Sequence, residues 1–259
     1  MSASASASPR RPAPLSATVQ VGLVAGLLAI AAACWVLTDD RMAGMDAGPG
    51  TALGGLGWFL VSWVVMMGAM MLPATASMAV AHARDRPAAR GRATLTFVAG
   101  YLLAWSAAGL VAYALIEGVR SLDLGFLAWD EAGRYVAGGA ILAAALFQLT
   151  PAKDVCLRRC RDPLAARSGL VHGAHCVACC WALMAALFAP GVMSIGWMAF
   201  VAALIAAERL LPSRLRAKHA IAVVLAVLGL AVLIAPGDVP GLTLPDSQDA
   251  AGMNMTMEQ

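Results

Sequence analysis

Charge is what this chain has least of. Asp, Glu, Lys and Arg make up 13% of its 259 residues while 61% are hydrophobic, and the mean hydropathy is +0.76. A soluble globular domain is only roughly half apolar, so that class is excluded. A formal net charge of +3 is too small to point to a nucleic-acid partner, and the basic residues are distributed by membrane side rather than gathered in a patch. The chain has no Gly-rich Walker loop for phosphate, so an ATP-driven step would need another subunit. No repeat is strong enough to define inverted halves. With about 20 apolar residues per span, the chain has room for about seven helices and short loops, and none for a separate soluble catalytic domain. Any chemistry must lie within the bundle or on its loops.

What is present is an all-α pattern: a polytopic transmembrane helix bundle. Residues 1–16, "MSASASASPRRPAPLS", have no large apolar side chain except Leu15 and read as a disordered cytosolic tail. The apolar run 17–37 follows Arg10 and Arg11, so a secretory signal competes with a retained span. It is long for a signal and has no small-x-small cleavage site, which favours the retained helix. Cys34 follows "AAA" without the leading Leu of a lipobox and reads as a small apolar filler. Further spans are expected at 56–80, 93–116, 133–150, 168–188, 191–208 and 218–235, all within one bundle over 17–235. The connections "HARDRPAARGR", "PAKDVCLRRCRDPLAARSG" and "ERLLPSRLRAKHA" are rich in Arg, and the alternate ones are acidic or neutral. Arg and Lys concentrate on the cytoplasmic side, which places the N-terminus inside and the C-terminus outside. Fusion of 168–188 and 191–208 across the tight Pro190-Gly191 turn would invert the C-terminal side. Runs of small residues such as "GGAILAAA" at 138–145 let helix backbones approach closely in lipid.

The stretch "GLVHGAHCVACCW" at 169–181 is unlike an ordinary span. At about 100° per residue, His172, His175, Cys176, Cys179 and Cys180 share a stripe about 140° wide. Spacings of three and four bring imidazole and thiol within reach of each other. One or two such residues would pass as filler, but five on one stripe point to a soft-metal or redox site. A second stripe, in "WFLVSWVVMMGAMMLPATASM", carries Trp63, Met66, Met67, Met70 and Met71. Thioethers bind Cu(I) in hydrocarbon without burying a charge; alone, the stripe reads first as packing. Pro73 follows it and frees a backbone carbonyl. At about 1.5 Å per residue, the two stripes fall at overlapping heights near mid-bilayer, where they could share one ion if their helices were neighbours.

In "CLRRC", Cys156 and Cys160 stand four apart in an inside loop. One helical turn would pair them as ligands, with arginines favouring the thiolates; an inert loop whose arginines set topology or touch anionic lipid is the equal alternative. The tail 236–259 is expected to be disordered and outside, and in it Met253, Met255 and Met257 alternate. Thioethers on a flexible tail have no core to fill and suit the capture of Cu(I), or of Ag(I). Met42, Met45, Asp39, Asp40 and Asp46 could assist, although a plain acidic loop accounts for them.

Four ordered motifs, "WVVMMGAMMLPA", "GYLLAW", "FQLTPAKDVCLRRCRDP" and "CVACCWALMAALFAPGVMSIGWMAFVAALIAAER", cover roughly residues 56–212. Together they resemble the bacterial family of predicted metal-binding integral membrane proteins, a domain of unknown function. By motif, the resemblance extends to Trp63, Met67, Met70, Met71, Pro73, Lys153, Cys156, Leu157, Cys160, Arg161, Pro163, Cys179, Cys180, Trp181, Met184, Gly191, Met193, Trp197, Met198 and Glu208. Ala178 stands where the family usually has Gly before the cysteine pair, a departure that leaves the ligands intact. The resemblance implies metal binding in a bacterial cytoplasmic membrane and no established reaction; His172, His175, Cys176 and the methionine tail rest on the residues alone.

The reading that fits these residues best is a non-enzymatic protein that binds Cu(I), or another soft or transition metal, and moves or delivers it across the membrane. Its partners would be the bilayer, the ion and a periplasmic or cytosolic metallochaperone. Outer methionines would collect the ion, the two stripes would hold it, and Cys156 with Cys160 would exchange it in the cytosol. Thiolates bind Cu(I) more tightly than thioethers, which favours inward flow, although coupling or a periplasmic partner could reverse it. The enzymatic rival is a membrane thiol oxidoreductase passing electrons from cysteine pairs to a quinone or a protein disulfide; adjacent cysteines rarely form an unstrained disulfide, which counts against Cys179–Cys180 as the pair. A metal sensor or metalloenzyme assembly factor is a third possibility, and haem held by histidine and methionine a more distant one.

Overall fold

The computed structural model describes residues 16–42, 54–121, 134–162, 167–188, 195–211 and 214–235. Among these residues the chain is entirely helical. In order come α1 (Ala17–Met42), α2 (Leu56–Arg84), a 3-10 turn (Pro87–Ala89), α3 (Arg90–Ser121), α4 (Arg134–Leu149), α5 (Pro151–Cys160), α6 (Gly169–Phe188), α7 (Ile195–Leu210) and α8 (Arg214–Ile234). Apart from 133 and 191–194, which lie outside the described residues, each apolar segment expected as a span forms a helix. Five of them, α1, α2, α3, α6 and α8, are long and apolar enough to cross a membrane, and a sixth arises if α4 and α5 are one broken span, bent by 72°.

The segment 151–160, expected as part of a cytosolic loop, is instead the helix α5. Its start is encoded locally. Thr150 is the N-cap, with extended backbone and a side chain that accepts a hydrogen bond from Lys153 N at 3.3 Å, and Pro151 occupies the first turn, where its missing N–H costs nothing. The arginines that marked the segment as a loop are compatible with a helix that keeps Arg158 and Arg159 exposed.

In lipid, helices associate by close packing rather than by a hydrophobic drive, and glycine sets the closest approaches. A Cβ on Gly169 would collide with the Phe97 carbonyl oxygen, and one on Gly173 would lie 2.9 Å from the Tyr101 carbonyl oxygen and 2.7 Å from Ala104 Cβ. The backbones of α3 and α6 therefore touch along this edge. Gly138 and Gly229 do the same for α4 and α8, where a Cβ on either would stand about 3 Å from the other's carbonyl oxygen. Gly173→Val should force α3 and α6 apart, a cost of about 1–3 kcal/mol or more for overpacking. A lower thermal midpoint in detergent, with no matching loss in an exposed Gly139→Val control, would show it; equal midpoints would refute it.

α1 buries little beyond Leu27, Ala31 and Thr38 and lies against α2 at the edge of the bundle. α2 continues through Pro73 and is buried along most of its length after Phe59. It packs on α1, α3 and α7, and α6 packs on α3, α4, α5 and α7. α2 and α6 are thus not a packed pair; both rest on α3 and α7.

Candidate metal centre

The thiols converge through an arrangement of three helices. α6 turns Cys176, Cys179 and Cys180 fully inward, and the last residue of α5, Cys160, is buried against them. Cys160 shares a hydrogen-bond donor with Cys176 and Cys180 of α6. Cys156, one turn earlier on α5, is only partly buried and packs on the apolar core. The "CLRRC" cysteines therefore part company, and Cys160 joins the cluster on α6. All six cysteines are free thiols.

The cluster surrounds a cation supplied by the chain. One guanidinium nitrogen of Arg209, Nη2, donates to Cys176 Sγ at 2.8 Å, to Cys160 Sγ at 3.5 Å and to Cys180 Sγ at 3.7 Å. On the far side, the Tyr101 hydroxyl of α3 lies 3.0 Å from Cys176 Sγ. The end of α7 is fixed by Arg161, the C-cap of α5, whose guanidinium donates to the Glu208 carbonyl oxygen at 2.5 Å and also to the Arg209 carbonyl oxygen. A cation at the unsatisfied carbonyls of a helix C-terminus is favoured by both hydrogen bonding and the helix dipole. The same contact brings Cys160 beside Arg209.

Next to the thiols lies a buried ion pair. Lys153 and Glu208 are fully buried, with Lys153 Nζ 2.9 Å from Glu208 Oε2. Lys153 Nζ also donates to the carbonyl oxygen of Cys179 at 2.8 Å. The following residue, Asp154, accepts from Lys218 of α8 at 2.7 and 2.8 Å. Two successive residues of α5 thus tie it to α6, α7 and α8. Ionisable groups at membrane depth are costly and kept for a purpose; here they lock α5 across the thiol-bearing helix.

His172 sits one turn below Cys176 on α6, 1% exposed, with its ring 5.6 Å from Phe97 and 5.7 Å from Tyr101. Neither ring nitrogen has a hydrogen-bond partner, and Nδ1 of the partly buried His175 has none either. Met66, Met67, Met70 and Met71 are buried on α2 beside Trp63, whose indole donates to the Trp105 carbonyl oxygen at 2.8 Å. They belong to the same continuous core as the thiols, Met184 and Met198. The partners of the thiols, however, come from α3, α5 and α7. Met253, Met255, Met257, Met45 and Asp46 lie outside the described residues.

As they stand, no three His, Cys, Asp or Glu side chains among the described residues are placed to hold a metal ion. Geometry supplies the reason. The sulfurs stand 2.8 to 3.7 Å from the Arg209 nitrogen, whereas thiolates grip a borderline-soft ion such as Zn(II) at about 2.3 Å. The donor set itself suits a soft cation; its spread is that of a guanidinium. Sequence reasoning took Arg209 for a topology signal and attached no role to Lys153 and Glu208 beyond the family resemblance. Charge at the end of an apolar span was the available clue.

Fold and site define an all-α protein with helices able to cross a membrane, burying four thiols of which three hold a cation. The chain belongs to the copper chaperone family: the family model PpoB2, copper chaperone, matches residues 60–232. That stretch runs from α2 into α8 and contains the methionine stripe and the whole thiol cluster; α1 and the methionine tail fall outside it. The motif resemblance to metal-binding membrane proteins covers much of the same residues, and both make the family metal-related. No curated protein and no solved structure matches the chain.

Proposed function

We propose that this chain is a multi-pass protein of the bacterial cytoplasmic membrane that takes Cu(I) as cargo into the cluster of Cys160, Cys176 and Cys180, with Cys179 adjoining, and delivers it across or within the membrane. The observation that carries this reading is the single point, now marked by Arg209 Nη2, around which three thiols of two helices converge at 2.8 to 3.7 Å. A soft monovalent ion fits such a donor set better than a hard one, and the copper chaperone family membership agrees with it. In this reading seven spans place the N-terminus inside and the C-terminus outside. Met66, Met67, Met70 and Met71, in the same core as the thiols, then form a thioether store beside them, and Met253, Met255 and Met257 collect the ion. His172, neither of whose ring nitrogens has a partner, and His175, whose Nδ1 has none, stand as relay ligands beside Cys176. The role is one of binding and handing on, without catalysis.

Vesicles reconstituted with the protein and given Cu(I) outside provide the test. Uptake should exceed that of empty vesicles, and Met70→Leu with Met71→Leu should lower it by about tenfold, the effect of roughly 1.4 kcal/mol on a barrier. Uptake unchanged by the double variant would remove the methionines from the path. No uptake by the wild type would leave delivery, not transport, as the role.

A further inference from the structure

Arg209 is unusual in two respects. Its guanidinium points back into the thiol cluster from the last turn of α7, although the residue as a whole is only partly buried. Its backbone, meanwhile, is held: Arg161 binds the carbonyl oxygens of both Glu208 and Arg209. A change in this contact therefore needs only side-chain rotation about a fixed helix end, and the long arginine stem allows it.

Physical chemistry gives the contact a reason. Thiolates are the form that binds metal, and gathering several thiolates at low dielectric is unfavourable without a positive charge nearby. A guanidinium supplies one positive charge and several donors. Cu(I) also carries one positive charge. Exchanging one for the other replaces one positive charge by another, while the three sulfurs close from their present spread to metal–thiolate distance.

We propose that Arg209 is a tethered place-holder: its guanidinium fills the three-thiol seat while the cargo is absent and must swing out before Cu(I) enters. This rests on the copper-binding reading of the same site. In the exchange the N–H···S contacts to Cys176, Cys160 and Cys180 break and copper–sulfur bonds form. Any proton still on a ligating thiol passes to solvent, and no electron moves. The device keeps the thiols apart and cation-screened when empty, and it makes loading depend on a prior side-chain movement. Arg209 is thus a positioning residue that never touches the ion.

The test uses the full-length protein in detergent, anaerobic and reduced, loaded from the Cu(I)–bicinchoninate complex. The first readout needs no variant. Phenylglyoxal, a guanidinium reagent, should modify Arg209 slowly in the copper-free protein and roughly tenfold or more faster in the loaded one, since each charge-assisted hydrogen bond lost is an effect of that order; peptide mass spectrometry reads the site. The second readout is kinetic. The loading rate of the wild type should level off as the copper complex is raised, because departure of the guanidinium becomes limiting. Arg209→Leu should load about tenfold faster without levelling off, on the same scale of one lost charge-assisted interaction, and Arg209→Lys should fall between the two. Arg209 that stays protected while copper is bound overturns the place-holder and leaves the copper site standing, as does equal loading by wild type and Arg209→Leu. A wild type that retains no Cu(I) overturns the reading of the site and this inference with it. If Arg209→Leu does not fold, the wild-type modification result decides alone.

Discussion

Protein carrying Cys176→Ser and Cys180→Ser together is expected to come through anaerobic purification without copper, where the wild type retains about one Cu(I) per chain, the occupancy of a single soft-ligand site. Both sulfurs face the same point as Cys160, and loss of two from three leaves no multidentate thiolate grip. Changing groups that merely orient ligands costs 10–100-fold in affinity, so removing two ligands should cost at least about 100-fold. The fold should survive. Serine is close in size to cysteine, and Tyr101 and Arg209, which now touch Cys176 Sγ at 3.0 and 2.8 Å, find a hydroxyl in its place. Cys160→Ser should also weaken retention, whereas Cys156→Ser, whose thiol packs on the core and not in the cluster, should leave it unchanged. Elemental analysis beside a monodisperse elution profile reads all four proteins. Full copper in the double variant would sink the thiol seat, and loss in Cys156→Ser would restore the "CLRRC" pair expected from the sequence.

The largest effect on stability should come from Lys153. Its ammonium group is fully buried, 2.9 Å from Glu208 Oε2 and 2.8 Å from the Cys179 carbonyl oxygen. Lys153→Met leaves the Glu208 carboxylate buried without its partner, and breaking such a pair from one side costs about 3–5 kcal/mol. With a chain of this size losing about 2–4 °C per kcal/mol, the midpoint should fall by roughly 10 °C. Lys153→Met with Glu208→Leu removes both charges, and apolar replacement of a whole buried pair is often neutral; most of the loss should return. The comparison separates an ion pair from simple packing. A double variant as unstable as the single one would show that Lys153 contributes through its stem and its bond to α6 instead. Copper retention in the double variant then tells whether the locked position of α5 matters for Cys160.

The helices were legible in the sequence because hydropathy is a local property. A run such as 217–234 must be helical in lipid, since no other single segment satisfies its own backbone there. α5 was not read as a helix because its arginines match a cytoplasmic connection, although the Thr150-Pro151 start was visible. Apart from His175, which is partly buried, the stripe of His172, His175, Cys176, Cys179 and Cys180 is buried on α6. Its company was not legible. Depth arithmetic matched the thiols with the methionines of α2, yet α2 and α6 do not pack as a pair, and equal height in a bilayer carries no information about lateral neighbours.

By itself, then, the sequence determined an all-α chain with several helices able to cross a membrane and one face rich in soft ligands, because composition, hydropathy and the angle per residue act within a segment. The tertiary structure alone decided that Cys160 leaves Cys156 to join α6, that Arg209 turns inward to meet three sulfurs, and that Lys153 and Glu208 neutralise each other in the core. They accompany a 72° bend between α4 and α5 and the meeting of the ends of α5 and α7. Such contacts join residues on different helices, where chain order sets no distance and only the packing of helix against helix does.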